Sequence, residues 1–376
     1  MVVLVYAISC RSGGAYSVLS DFYEEAKKNK YKYPDVKWLF LLSTQNFSEA
    51  ENIIIKKYEK SVKSWLHRMH FNYHIAKKIA TQYGASVVLS LQNMGITGVN
   101  LPTIISLHNV LPLYKCTKDV LDTSLQRCKQ RIVNYCISHS LKKAEAVLIP
   151  GEWIKTKIVD KFNIDENKIH IAQLSFPLKM ELKVYDANTG IDLRKITTFF
   201  YPAASYPYKN HKVIIEACRL LSERNIANYE VLFTFTEDQT KTAISLSSLV
   251  RNYNIPIRFC GDLPREKVVR LYNSGVLLFS SKIETDAMPL IECKTVGGMV
   301  IASDFPYAKA VLCDYENKIM FNGDNPVELA DAMEKCIANG FTIIEGNNNY
   351  HHTEHGERFD LIVDVAEQIY HNRDGV

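Results

Sequence analysis

The 376-residue chain contains no apolar stretch near the roughly 20 residues that a membrane-spanning helix requires. Its first residues, MVVLVYAISCRSGGAY, hold a short apolar run but no basic segment before it and no small-residue cleavage site after it. They read as a first buried strand rather than a signal peptide. Nine cysteines are scattered without a C-x-x-C pair or a zinc-type spacing. An odd, unframed set implies reduced thiols and a cytoplasmic address, not a disulfide scaffold. Neither sign of charge dominates: 45 Lys and Arg face 41 Asp and Glu, for a net +4, too mild a balance to imply nucleic acid as a partner. No Asp-x-Asp pair or His/Asp cluster appears, so no metal is expected. There is no repeat of solenoid length, and no biased tract beyond Asn347–Asn349. With 47% hydrophobic residues, a disordered or fibrous chain is excluded.

What is present is alternation. Short β-rich runs separate longer helical patterns, the signature of parallel sheets with crossover helices. In the first half, strands are predicted at Val2–Ile8, Val36–Leu42, Ser86–Ser90, Thr103–Leu107 and Ala146–Ile149. Helices are predicted near Tyr16–Lys28, Glu49–Tyr83 and Lys118–Lys142. The polar, turn-rich KVYDANTGIDLR, Lys183–Arg194, reads as a linker. A second series follows, with strands at Ile196–Tyr201, Tyr229–Phe235, Ile257–Cys260, Val276–Ser280, Met299–Ala302 and Lys318–Phe321. A chain of this length fits two α/β domains. In such sheets ligands bind beyond the carboxyl ends of the strands, so the loops after strands are where chemistry belongs.

The most informative stretch is residues 276–304, VLLFSSKIETDAMPLIECKTVGGMVIASD. A strand ends in a loop carrying Glu284. Pro289 suits the first position of the helix that follows, where its missing N–H costs nothing. A helix start offers free N–H groups and a positive dipole end to a phosphate. Glu292 is expected in that first turn, so two carboxylates would flank one anion site. The residues alone leave a plainer reading open, in which Glu292 complements the helix dipole and Glu284 is a solvated loop residue.

IETDAMPLIEC followed by VGGMVIASD resembles the glycosyltransferase group 1 family (the retaining glycosyltransferases of family 4, with the GT-B fold), whose donor motif is Glu-x7-Glu, a Gly-rich turn and an apolar strand. The resemblance implies that Glu284 faces the donor hexose, Glu292 the ribose diol, and the backbone of Ala287, Met288, Pro289 and Leu290 the diphosphate. Where the family often has Phe-Gly before the proline-like position, this chain has Thr285-Asp286-Ala287-Met288, so donor identity does not carry over.

Other segments gain meaning from the same resemblance. In FFYPAASYPYKNHKVIIEACRLL, Lys209 matches a basic residue that meets the donor phosphates, a sensible place for positive charge when a nucleoside diphosphate leaves. The arginine that the family usually has upstream is replaced by Ala204, Ser205 and Tyr206. On its own Lys209 reads as a surface lysine. In FCGDLPREKVVRLY, the turn Gly261, Asp262 and Leu263 matches backbone that meets the nucleobase, and Gly261 reads equally as a plain turn glycine. Gly13 and Gly14, between the first strand and first helix, fall short of a full dinucleotide fingerprint, but the family places this loop beside donor phosphates and acceptor. His108, just after the strand Thr103–Leu107, matches a histidine at the donor sugar, against the structural role that a lone histidine more often has. Asn52–Lys78 carries seven Lys or Arg against one Glu, interleaved with aromatic and aliphatic residues. It reads as a solvated helix face, as a patch on an anionic membrane through Lys56–Lys78, or as a nucleic-acid contact, the last disfavoured by the mild net charge.

The expected fold is α/β, GT-B: two Rossmann-like domains, 1–180 (acceptor) and 196–350 (donor), joined by a linker at 181–195, with parallel sheets facing a central cleft. The segment 351–376 would cross back to the first domain by a helix near Gly356–Tyr370. The expected activity is a metal-independent, retaining hexosyl transfer. The donor would be a UDP- or GDP-sugar, as co-substrate and not cofactor. The acceptor would be a saccharide or polyprenyl-linked hydroxyl in surface-polysaccharide assembly, with the enzyme cytoplasmic or peripheral on the inner face of the plasma membrane. The alternatives are a nucleotide-sugar epimerase of the same fold and a catalytically silent nucleotide-sugar-binding subunit.

Overall fold

The computed structural model describes residues 1–11, 13–173, 196–344 and 357–374; the expected linker at 181–195 lies outside them. Thirteen strands among the described residues form two wholly parallel sheets. The first contains β1 (Val2–Tyr6), β2 (Lys37–Leu42), β3 (Ile53–Lys57), β4 (Val87–Ser90), β5 (Thr103–Ser106), β6 (Ala146–Ile149) and β7 (Ile169–Ile171), in the order β3-β2-β1-β4-β5-β6-β7. The second contains β8 (Thr197–Tyr201), β9 (Tyr229–Phe233), β10 (Ile257–Phe259), β11 (Val276–Phe279), β12 (Met299–Ser303) and β13 (Lys318–Phe321), in the order β10-β9-β8-β11-β12-β13.

The helices in the first half are α1 (Gly13–Lys28), α2 (Trp65–His70), α3 (Ala76–Gln82), α4 (Ser124–Lys143) and α5 (Glu152–Phe162). In the second half they are α6 (His211–Glu223), α7 (Lys241–Tyr253), α8 (Arg265–Ser274), α9 (Met288–Thr295), α10 (Pro306–Val311), α11 (Pro326–Asn339) and α12 (Glu357–Asp374).

Both sheets have the doubly wound order, in which the strand sequence reverses between the first strand and the fourth. A crevice opens at that reversal, beyond the carboxyl ends of the strands. In the second sheet it lies between β8 and β11, so the loops after those strands border it. In the first it lies between β1 and β4. β4, β6, β11 and β12 are buried at every position, as parallel strands covered on both faces should be.

The chain divides into two compact units. One contains Met1–Tyr114, the chain from Ile132 through β7, and α12; the other contains Lys115–Arg131 and the second sheet with its helices. Helix α12 joins the first unit's core through Phe359, Ile362, Val363, Val365 and Ala366. The Phe359 ring lies 5.4 Å from both Trp38 and Phe22. At the rim, Asp360 accepts from Lys32 at 2.6 Å and from Tyr33 at 2.7 Å.

The single helix expected over Glu49–Tyr83 does not form. Ile53, Ile54 and Ile55 instead pair with Trp38, Leu39 and Phe40 as the edge strand β3. Three consecutive β-branched residues favour the pleated surface over the helix, and this outweighs the helical spacing of the basic residues that follow. The remainder breaks into α2, one π-turn at Phe71–Ile75 and α3.

Candidate functional site

The second unit brings Lys209 and Glu284 together. Lys209 ends a short 3-10 turn, Pro207–Lys209, in the loop after β8. Its carbonyl accepts from the Tyr201 hydroxyl at 3.1 Å and from Ser280 Oγ at 3.0 Å. Asn210 then takes a left-handed conformation, φ 56°, which asparagine tolerates better than most residues, and its side-chain amide donates to the Gly323 carbonyl at 2.8 Å. The amide of Lys282 donates to the Tyr208 carbonyl at 2.8 Å, tying the loop after β11 to the loop after β8. Across this seam Lys209 Nζ meets Glu284 Oε1 at 2.5 Å, with only 17% and 14% of the two side chains exposed. A lysine and a carboxylate, mutually neutralised, thus stand at the sheet's switch point.

Glu292 has different partners. Ala287 caps α9 in the left-handed region (φ 44°, ψ 48°), with no side chain bonded to the helix start. Two expectations shift here by one step. Met288 takes the first helical position and Pro289 the second, so Glu292 falls in the second turn and cannot be a first-turn dipole partner. The carboxylate instead accepts from Arg265 Nη2 at 2.5 Å and from the Tyr272 hydroxyl at 2.8 Å, both on α8. Tyr272 is fully buried. Burial, reinforced by the Glu292 charge, holds its phenol well above the usual range, so it remains a donor. Sequence reasoning missed Arg265 and Tyr272 as partners, because no periodicity links residues 27 and 20 positions from Glu292.

Gly261 follows β10 with φ 67°, a conformation that glycine adopts without penalty, and its amide donates to the Phe235 carbonyl at 3.3 Å. Asp262 and Leu263 continue this turn into α8. Beneath the site lies a residue that the sequence did not flag. His211, the first residue of α6, is 1% exposed. Its ring packs against Tyr201 at 4.7 Å, Phe233 at 4.9 Å and Phe235 at 5.0 Å, and neither ring nitrogen has a hydrogen-bond partner among the described residues. Burial, assisted by the Lys209 charge, lowers its pKa to about 3.

Gly13, Gly14 and His108 belong to the first unit. The two glycines are the first two residues of α1 itself, not a loop ahead of it as expected. His108 lies beyond β5, where its amide donates to Asn93 Oδ1 at 2.6 Å and its Nε2 lies 2.8 Å from Ser106 Oγ. Among the described residues no group of three or more His, Cys, Asp or Glu side chains is placed to hold a metal ion.

Residues 185–352 match the family model of glycosyl transferases group 1. The matched stretch takes in the second sheet and its helices. The whole chain also matches solved structures. Against HepE of Anabaena, in complex with UDP and glucose, it is 14% identical with a TM-score of 0.65, covering 100% of both chains. Against sucrose-phosphate synthase of Thermosynechococcus elongatus it is 13% identical with a TM-score of 0.70, covering 100% of this chain and 98% of that one. Against WaaG, a glycosyltransferase involved in lipopolysaccharide biosynthesis, it is 14% identical with a TM-score of 0.65, covering 100% and 95%. No curated protein sequence matches the chain. The two-sheet α/β architecture is that of the GT-B glycosyltransferases.

Proposed function

We propose that this protein is a retaining hexosyltransferase. It would move a sugar from a UDP- or GDP-sugar to a hydroxyl of a saccharide or lipid-linked acceptor in cell-surface polysaccharide assembly. The observation that carries the reading is the Lys209–Glu284 pair at the switch point of the second sheet, within the stretch that matches glycosyl transferases group 1. In the transfer, the bond from the anomeric carbon to the phosphate oxygen breaks and a bond to the acceptor oxygen forms. The acceptor proton ends on the leaving diphosphate. Negative charge grows on that diphosphate and positive charge on the sugar ring. In this reading Lys209 would meet the first, Glu284 hold the sugar and Glu292 the ribose, while the start of α9 at Ala287–Leu290 would receive phosphate oxygens through the amides of Ala287 and Met288, since Pro289 has no N–H and that of Leu290 donates to the Ala287 carbonyl. Gly261, Asp262 and Leu263 would border the base, and Gly13, Gly14 and His108 the sugar and acceptor.

Because a lysine and helix N–H groups supply the positive charge, transfer should proceed in EDTA. Binding of UDP-, GDP- and dTDP-sugars by calorimetry, with Glu284→Ala and Glu292→Ala in parallel, tests the site. Unchanged binding and turnover in both variants would remove the assignment. Product formation only when acceptor is present separates transfer from epimerisation.

The acceptor reading extends to an anionic membrane surface. In the Lys56–Lys78 stretch, Lys57, Lys60, Lys63, Lys77 and Lys78 are exposed, and the apolar Leu66 and Tyr73 are 70% and 43% exposed among them. Basic residues around exposed apolar ones suit an interfacial contact. No helix among the described residues is long and apolar enough to cross a membrane. Replacing the lysines with Gln should lower sedimentation with phosphatidylglycerol vesicles, and unchanged sedimentation would refute the contact.

A further inference from the structure

A guanidinium stands at the first unit's switch point without a counter-charge. Arg68, on α2, is half-buried. Its Nη2 donates to Ser9 Oγ and lies 3.5 Å from Gln92 Oε1. Ser9 follows β1 and Gln92 follows β4, so the contact falls beyond the carboxyl ends of the two strands where the winding reverses. Doubly wound sheets receive their ligands there. The arrangement is fixed by buried neighbours. Gln92 is 5% exposed, and its Oε1 accepts from the Ser9 amide at 2.8 Å. The Arg68 guanidinium lies over the Tyr6 ring, 5.7 Å from the centroid.

The ionisable groups beside Arg68 do not neutralise it. The Tyr6 hydroxyl donates to Asn72 Oδ1 at 2.6 Å, and burial raises its phenol above the usual range although the Arg68 charge opposes this. Burial likewise pushes the Cys10 thiol up to about 12 against the same charge. Both groups therefore stay protonated and uncharged at neutral pH. Among the described residues no carboxylate pairs with Arg68.

The side-chain contacts of Arg68 use Nη2 alone. Nη1 and Nε keep their N–H groups for a ligand, and a guanidinium presents such donors as a planar fork that matches two oxygens of a carboxylate or phosphate. Ser9 is exposed; its hydroxyl accepts from Arg68, which has donors only, and keeps its own proton to give. The contrast with the second unit is informative. There Lys209 is already met by Glu284, so an arriving anion competes with a carboxylate. At Arg68 no carboxylate has to be displaced.

We propose that Arg68, with the Ser9 hydroxyl beside it, forms an anion-recognising subsite in the first unit, which takes a sugar bearing a carboxylate or a phosphate ester and so selects an acidic acceptor. The inference deepens the reading that the acceptor binds the first unit and rests on it for the ligand's role. Binding is measured without transfer, so the two can fail separately.

The test is calorimetry of the full chain in saturating UDP, which keeps other phosphates off the donor site. The probes are methyl glucuronide, glucose 6-phosphate and the neutral methyl glucoside. At least one acidic sugar should bind about 10- to 100-fold more tightly than methyl glucoside, the span that a hydrogen bond to a charged group covers. Which of them does so separates a carboxylate from a phosphate ester. Arg68→Met should abolish the preference. Arg68→Lys, which keeps the charge but not the fork, should retain only part of it. If Arg68→Met does not fold by circular dichroism, Arg68→Lys and the wild-type comparison carry the test. Equal binding of acidic and neutral sugars, or a preference undiminished in a folded Arg68 variant, overturns the proposal. Inorganic phosphate bound as tightly as glucose 6-phosphate would overturn the assignment to a sugar. Failure of UDP to bind would strike the donor reading instead, while the dependence on Arg68 still decides this one.

Discussion

Replacing Glu284 with Gln should separate what the Lys209–Glu284 pair does for the fold from what it does for the donor. The two side chains are 17% and 14% exposed and meet at 2.5 Å. Breaking a fully buried pair by removing one charge costs about 3–5 kcal/mol. The residual access to water here reduces this to about 2–3 kcal/mol, because part of the Lys209 charge can be solvated. For a domain of this size each kcal/mol moves the midpoint by about 2–4 °C, so Glu284→Gln should lower the melting of the second unit by roughly 4–12 °C. Lys209→Met in the same chain removes the orphaned charge. The double variant should then recover at least half of the loss, a coupling within the 0.5–3 kcal/mol typical of contacting residues. Scanning calorimetry of the four proteins measures it, and additive losses would refute the pairing argument. The ligand arm runs the opposite way. A lysine no longer held by a carboxylate is available to a diphosphate, so Glu284→Gln should bind UDP itself at least as tightly as wild type, while binding UDP-glucose no better than UDP and transferring little sugar. Weaker binding of UDP alone would show that Glu284 does not face the sugar.

Three further outcomes follow from the same geometry. Glu292→Gln keeps the shape but weakens a charged acceptor, and hydrogen bonds to charged groups contribute about 1.5–3 kcal/mol; the Kd for UDP should rise by about 10- to 100-fold in calorimetry, with little change for a ribose-free diphosphate. A Cβ at Gly298 would collide with the Tyr272 carbonyl oxygen and Cys293 Sγ. Gly298→Ala should therefore cost about 1–3 kcal/mol of stability and also weaken UDP, because Tyr272 holds Glu292; full donor affinity in a destabilised Gly298→Ala would break that link. His211 has a folded pKa of about 3 against 6.5 for a free imidazole. The unfolded chain therefore binds the extra proton below pH 6.5, and stability falls as pH drops through that window toward 3. Between pH 7 and pH 5 the loss is about 2 kcal/mol, and His211→Phe, which fits the same aromatic surroundings, should flatten that part of the urea-denaturation profile.

The α/β class was legible because parallel strands buried on both faces write themselves as short apolar runs. VLLF at Val276–Phe279 and MVIAS at Met299–Ser303 are of this kind. The misreading of Glu49–Tyr83 shows where the signal fails: Ile53–Ile55 is a strand only because β2 is available beside it, and a single sequence does not display its pairing partner. The candidate site was legible in its loop positions only. Residues that a turn or strand end places in a loop, such as Lys209, Glu284 and His108, stood out by position. Their partners did not. Lys209 and Glu284 are 75 positions apart, and Glu292 is 27 and 20 positions from Arg265 and Tyr272. His211 was hidden for another reason, since nothing in PYKNHKVII marks its ring as buried until Tyr201, Phe233 and Phe235 close around it.

The two sheets share one winding, yet the switch points differ in chemistry, and that difference bears on the division of labour. Between β8 and β11 the opposed loops are tied by a lysine–carboxylate pair, charged groups that a diphosphate and a sugar can separate and use. Between β1 and β4 the corresponding loops are tied by a neutral side chain: Gln92 Oε1 accepts from the Ser9 amide at 2.8 Å, and Arg68 reaches both Ser9 and Gln92. Here the groups are an amide, a hydroxyl and a guanidinium with no carboxylate in the tie, a set of donors and acceptors that can serve a hydroxyl-rich ligand. The same winding thus yields one crevice built around separable charges and another built around fixed hydrogen bonds. This fits a donor held by the second unit and an acceptor held by the first.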